Sequence, residues 1–281
     1  MRVFRTTLLL TALTLLLMLL GQYFGGRAGV TMALGFAVAM NAFAYFFSDK
    51  IALMSSGARP VSREQLPRLY SVMERLAAKA NLPVPKLYVV PEAAPNAFAT
   101  GRNPRHASVA VTTGLLELMN DDELEGVIAH ELSHVRNYDI LISSVAATLA
   151  GAISWIGYLG SGYGGRDRER GGGWILALVL LILAPFAAFL LQLGLSRQRE
   201  YSADATGARM VGNPYGLISA LQKLGAYNNR IPTTAISPST SSLCIVKPLF
   251  GKGTLSTLFS THPALADRIE TLRQMTIVPQ R

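Results

Sequence analysis

The sequence predicts an α-rich integral membrane protein, with four transmembrane helices and an α+β portion outside the bilayer. Three observations carry this. Residues 6–26, 28–48, 140–165 and 171–196 contain no Asp, Glu, Lys or Arg. Half of the 281 residues are hydrophobic and only 15% are charged, against about 25% in soluble domains. The basic residues are also segregated: the N-terminal arm, residues 48–138 and residues 196–281 hold 22 of the 26 Lys and Arg. This composition excludes disorder, because there is ample apolar surface to bury. It also argues against a freely soluble globule.

A bilayer core takes about 20 apolar residues as helix. The first run has Arg2 and Arg5 before a Leu-rich core, as a signal peptide does. No clean small-residue cleavage site follows, and a second span begins at once. Residues 1–47 therefore read as a transmembrane hairpin whose first arm is a retained signal anchor. The third run, Ile140 to about Leu159, is rich in Ala, Gly and Ser, which suits close packing between membrane helices. The fourth contains Pro185, which a membrane helix tolerates as a kink. Residues 139–196 thus form a second hairpin. Four spans put both termini and both large polar segments on one side, and the excess of Lys and Arg makes that side the cytoplasm. Arg166, Arg168 and Arg170 would face outward, against the trend.

Residues 48–138 read as a small α+β unit with ten basic and ten acidic residues. Leu66, Leu69, Met73, Leu76 and Ala80 recur at helical spacing over Gln65–Ala80. Lys86–Val90 and Ser108–Thr112 read as strands, with a turn-rich stretch between them. Residues 121–136 read as a helix capped by Asn120 or Asp121, with acids in its first turn. Residues 197–281 open with a charged helix through Val211. A second helix over Pro214–Ala226 follows, then a loop over 231–261 rich in Ser, Thr, Pro and Gly, and a helical tail from His262 to Met275. This part has ten basic and four acidic residues and contains most of the net charge of +9. Aromatic residues do not interleave with its basic ones, so nothing points to nucleic acid.

The chemistry concentrates in few residues. Two of the four histidines stand in His130-Glu131-Leu132-Ser133-His134, and by composition alone such an HExxH would arise with odds of roughly 0.2%. On a helix, His130 and His134 share a face, so both can bind one metal ion. Glu131 lies beside them as a general base for the attacking water. Zinc needs a third protein ligand and an open position. Cys244 is the only cysteine, so a carboxylate or histidine must serve. Glu200 is the candidate, and a surface ion pair with Arg197 or Arg199 is its other reading. Asp204, four residues on, could accept a hydrogen bond from a ligand imidazole. His106 has no motif and reads as surface.

HELSH, followed about seventy residues later by REYSADA with a hydrophobic hairpin between, resembles the HtpX-type membrane metalloproteases. These are gluzincins, whose third ligand is the Glu of an E-x-x-x-D motif, and Glu200 and Asp204 match that spacing. Asn96-Ala-Phe-Ala99 resembles the family's substrate-binding edge strand. Ser260-Thr-His262-Pro263 with Arg268 resembles its THP…R signature. The resemblance covers essentially the whole chain. It implies a cytoplasmic α+β zincin-like protease domain assembled from residues 48–138 and 197–281, holding one zinc ion on His130, His134 and Glu200. It further implies a zinc endopeptidase of the bacterial inner membrane, acting on unfolded or membrane-protein substrates in quality control. Other membrane proteases are candidate partners. Asn96 would bind substrate backbone. His262 ranks first as oxyanion donor, and Arg268 takes either that role or a structural ion pair.

Two alternatives remain open on the sequence: a CaaX prenyl protease, whose relatives have more spans, and a membrane chaperone or binding protein with an inactive metal site. A transporter fits less well, since no span carries an ionisable residue.

Overall fold

The computed structural model of the chain describes residues 4–149, 197–228, 243–245 and 263–276. The fourth span, most of the third, the outward arginines, most of the 231–261 loop and His262 lie outside these residues.

Helix α1 (Phe4–Ser55) is apolar over most of its length and bends at Gly26, whose φ of 55° breaks the helical run. Glycine takes this backbone without a Cβ penalty. The two arms then fold together. The Asn41 amide donates to Thr14 Oγ1 at 2.9 Å. A Cβ on Gly21 would lie 2.4 Å from the Gly29 carbonyl oxygen, so the arms meet backbone to backbone near the bend. The second arm continues past residue 47 to Ser55, carrying Asp49 and Lys50 in helix. Among the described residues this is the one helix long and apolar enough to cross a membrane. Its outward side chains are bare, Leu19 at 69% and Met32 at 76% exposure.

After a short strand β1 (Arg59–Pro60), α2 (Pro67–Ala80) buries Leu69, Met73, Leu76 and Ala80, as the spacing requires. Proline in its first turn suits a position with no N–H partner to lose. Strands β2 (Lys86–Val90), β3 (Ala97–Gly101) and β4 (Ala107–Thr112) complete a sheet of order β1-β2-β4-β3. Strands β2 and β4 run parallel, and β3 pairs antiparallel to β4 with Ala97 opposite Val111.

Every residue of β3 and β4 is buried, because the sheet is covered on both faces. Leu87, Val109 and Val111 join the core with α2 and α4. Val90, Phe98 and Ala110 pack instead on Ala52 and Leu53 at the end of α1, and on Ala147. A short helix α3 (Thr113–Leu118) leads into α4 (Asp121–Asn137). Neither α3 nor β3 stands out by composition, since β3 lies in the turn-rich stretch.

A capping box starts α4: Asn120 Oδ1 accepts from the Glu123 N–H, and Glu123 accepts from the Asn120 N–H, both at 2.9 Å. It ends at Tyr138, held at φ 62° in the left-handed region, and Asp139–Leu149 restarts at once as the apolar helix α5. Leu141, Val145 and Leu149 pack against Leu13 and Ala44 of the two α1 arms. Helices α6 (Arg197–Val211) and α7 (Tyr215–Asn228) pack on α4, and α8 (Leu265–Arg273) packs on both. Glycine permits the close approach of α4 and α7: a Cβ on Gly126 would lie 2.5 Å from the Leu217 backbone nitrogen.

Candidate metal and catalytic site

Helix α4 presents His130 and His134 to α6, which brings Glu200. The two Nε2 atoms lie 3.2 Å apart. Glu200 Oε2 is 3.6 Å from His130 Nε2, and Oε1 is 3.7 Å from His134 Nε2. A tetrahedral site with bonds of about 2.0–2.1 Å has ligand-to-ligand edges of about 3.3 Å. The imidazole pair matches this edge, and Glu200 faces each nitrogen with a different oxygen, one atom from each residue lying within 4.8 Å of the others. A shift of the carboxylate would close the three on one tetrahedral cation, leaving the fourth position to water or substrate. Two imidazoles and a carboxylate are also the donor set that suits zinc.

The far side of each imidazole meets a carboxylate. His130 Nδ1 lies 2.9 Å from Asp204 Oδ1, and His134 Nδ1 lies 3.2 Å from Asp139 Oδ2. Each bond fixes the ring so that Nε2 faces the metal position. Asp204 is the partner the spacing suggests. Asp139 is not suggested by spacing, because it lies on the next helix. The left-handed Tyr138 carries the chain back far enough for Asp139 to reach His134. Arg199 Nη1 lies 3.9 Å from the other oxygen of Asp139.

Arg268 from α8 closes the cluster at 1% exposure. Its Nε and Nη2 donate to the two oxygens of Asp204 at 2.8 and 2.7 Å. Its Nη1 donates to the Ile245 carbonyl at 3.0 Å, and the same nitrogen lies 3.7 Å from Glu200 Oε2. Of its two expected roles, this geometry matches the structural ion pair. Burial alone would raise the Asp204 carboxyl, but the Arg268 guanidinium and the His130 N–H hold it below its ordinary value.

Glu131 is fully buried. Burial, reinforced by the Glu200 charge, lifts its carboxyl to about 7, while His134, the Ala99 N–H and Arg268 pull the other way. A group poised there can both take and return a proton near neutrality. Burial depresses His130, and its pKa falls below the ordinary value. Burial acts the same way on His134, but Asp139, Glu200 and Glu131 outweigh it and raise that ring to about 9. A metal binding there must therefore displace a proton.

Strand β3 runs beside this cluster. The Ala97 carbonyl and the Ala99 N–H point away from β4, to Ile245 and to Glu131 respectively. Asn96 is buried at the head of the strand, with its Oδ1 accepting from the Ala97 N–H at 2.9 Å. Cys244 is buried as well, and burial together with the nearby Glu131 charge pushes its thiol up. His106 lies on the surface with Asn103.

The sequence matches Peptidase family M48 over residues 63–276. It is 53% identical over 274 residues to a protein of Desulfatibacillum aliphaticivorans named Protease HtpX homolog, covering 95% of this chain and 88% of that one. A protein of the same name from Syntrophobacter fumaroxidans is 49% identical over 279 residues, covering 97% and 99%. Among solved structures, S. mikatae Ste24p is similar with a TM-score of 0.53 at 20% identity. That likeness covers 95% of this chain but 64% of the Ste24p chain, and it speaks to the fold alone.

Proposed function

The chain belongs to Peptidase family M48, among its HtpX-type membrane metalloproteases, and from that premise we propose that it is a zinc endopeptidase cleaving misfolded or damaged membrane proteins at the cytoplasmic face of a bacterial inner membrane. One observation carries the reading: His130, His134 and Glu200 converge on a single point beside a buried Glu131. The placement of 22 of 26 Lys and Arg on one side of four expected spans supports the cytoplasmic orientation.

Bound at these three ligands, zinc would lower the pKa of its water toward about 7 and polarise the scissile carbonyl. Glu131 takes the proton of the attacking water and delivers it to the leaving amine. The Ala99 N–H holds the Glu131 carboxylate toward β3, where an extended peptide would lie. Asp204 and Asp139 keep the ligand rings in register throughout. His262 is proposed as the oxyanion donor, since the Nε and Nη2 of Arg268 are committed to Asp204. Asn96 sets the start of β3, which would pair with substrate backbone and so favour unfolded clients over any particular side chain.

Purified full-length protein should contain one zinc per chain and cleave casein. A chelator should stop cleavage and zinc should restore it. Glu200→Ala should lose the metal, and a variant that keeps one ion per chain at neutral pH would remove Glu200 from the ligand set.

A further inference from the structure

The outer edge of β3 already carries a partner from the chain itself, the bent segment Leu243–Ile245. The Ile245 N–H donates to the Ala97 carbonyl at 3.0 Å, and the Ile245 carbonyl accepts from Arg268 Nη1 at 3.0 Å. One residue is thus clamped by both backbone groups between the sheet edge and the metal-site arginine. Its neighbours fill apolar space on either side. Leu243 packs with Phe98 and Leu53, while Ile245 joins the core beside α4. Cys244 between them is 1% exposed and lies within reach of the Glu131 charge. An extended peptide added to the edge of β3 would need the Ala97 carbonyl that Ile245 now occupies.

We propose that Leu243–Ile245 holds the place of a substrate strand in the free enzyme, and that an incoming extended peptide displaces it and inherits the bonds to Ala97 and Arg268. This rests on the reading of the β3 edge as the substrate edge. Arg268 then has two duties. Its Nε and Nη2 keep Asp204 in place, and its Nη1 passes from the Ile245 carbonyl to a carbonyl of the bound peptide. Selection follows from the competition. Only a segment able to lie extended along β3 can replace the internal segment, so a folded polypeptide leaves the cleft closed.

Cys244 reports the displacement directly, being the only cysteine of the chain. Zinc-loaded, full-length Glu131→Gln protein in detergent is titrated with a fluorescent, cysteine-free casein fragment. Anisotropy measures binding, and a small maleimide measures thiol reactivity. Labelling of Cys244 should be slow in the free protein and rise at least about tenfold at saturation, as a buried thiol becomes accessible. An unchanged rate with the fragment bound makes the segment a fixed wall of the cleft and overturns the proposal. So does a free protein that labels as fast as a small thiol in solution. As a second measure, Ile245→Pro removes the N–H that binds Ala97. In protein that retains zinc it should lower KM for casein several-fold at unchanged kcat, and an unchanged or raised KM contradicts displacement. Wild-type protein that fails to cleave casein, or cleaves it in chelator, refutes the protease reading instead.

Discussion

The N-terminal hairpin and the metal cluster are built on opposite plans. In α1, apolar side chains face outward, and the arms meet through glycines and the Asn41 amide, which donates to Thr14 Oγ1 and the Leu10 carbonyl. In the α4–α6–α8 cluster, His130, Glu131, Glu200, Asp204 and Arg268 are all buried. The first region puts grease where a soluble protein has charge, and the second puts charge where a soluble protein has grease. The contrast separates two kinds of stability. The hairpin draws on its surroundings and on close packing of small residues. The cluster draws on mutual satisfaction of ionised groups, so each member depends on the others.

If that contrast is real, substitutions in the cluster should be severe and those in the hairpin mild. The largest effect is expected at Glu131. Glu131→Gln should lower casein cleavage at least about 10³-fold while metal analysis still finds a full complement of zinc. Undiminished turnover would break the assignment of Glu131 as base.

Next comes Asp204→Ala. It leaves the Arg268 guanidinium buried without its bidentate partner, which should cost about 3–5 kcal/mol. Thermal unfolding in detergent measures this, and zinc affinity should fall with it because His130 loses its orienting carboxylate. A stability close to wild type would mean that Arg268 finds compensation elsewhere.

A smaller effect belongs to the lock between α4 and α7. Burial alone would raise the Glu123 carboxyl, but Lys223, Ser219 and the Asn120 N–H together hold it below its ordinary value of 4.5. Lys223 Nζ lies 2.7 Å away and Ser219 Oγ 2.6 Å. With the folded pKa depressed, this contribution is complete above about pH 4.5 and fades as the pH falls through the lower folded value. Glu123→Gln keeps a capping residue at N3 but loses the ion pair with Lys223, so it should destabilise by about 1 kcal/mol at neutral pH and flatten the acid slope of a plot of Tm against pH. A variant with the wild-type slope would assign that slope to other carboxylates. Asn41→Leu should have the smallest effect, under about 1 kcal/mol, with cleavage retained. A large loss would show that the hairpin, too, depends on its polar contact.

The two plans were also unequally legible. The hairpin announced itself by composition, because a run without charge needs no partner to be recognised. The bend at Gly26 did not, since a glycine only permits that conformation. Helices α4 and α6 were readable from their charges and the α4 cap, and the His130–His134 pair from the spacing of HELSH. Spacing alone left Glu200 open to a surface ion pair, and only the resemblance to the E-x-x-x-D motif singled it out with Asp204. Asp139 escaped because its reach to His134 depends on one left-handed residue, Tyr138. Strand β3 escaped composition because Ala-Phe-Ala-Thr-Gly becomes buried only through distant segments: Ala97 and Ala99 in the main core, Phe98 on the end of α1, and Thr100 with Ser144 Oγ of α5 at 2.7 Å. The place of Ile245 was beyond any local pattern, since its partners Ala97 and Arg268 belong to other segments of the chain.

The Arg268 clamp also sets an order in time. Arg268 leaves the ribosome 138 residues after His130 and 64 after Asp204. At roughly 5–20 residues per second, the HELSH helix waits about 7–28 s for its counter-charge. Over the last 64 residues of that interval the carboxylate that aligns His130 is made but has no guanidinium to balance it. Maturation of the active centre is therefore tied to translation.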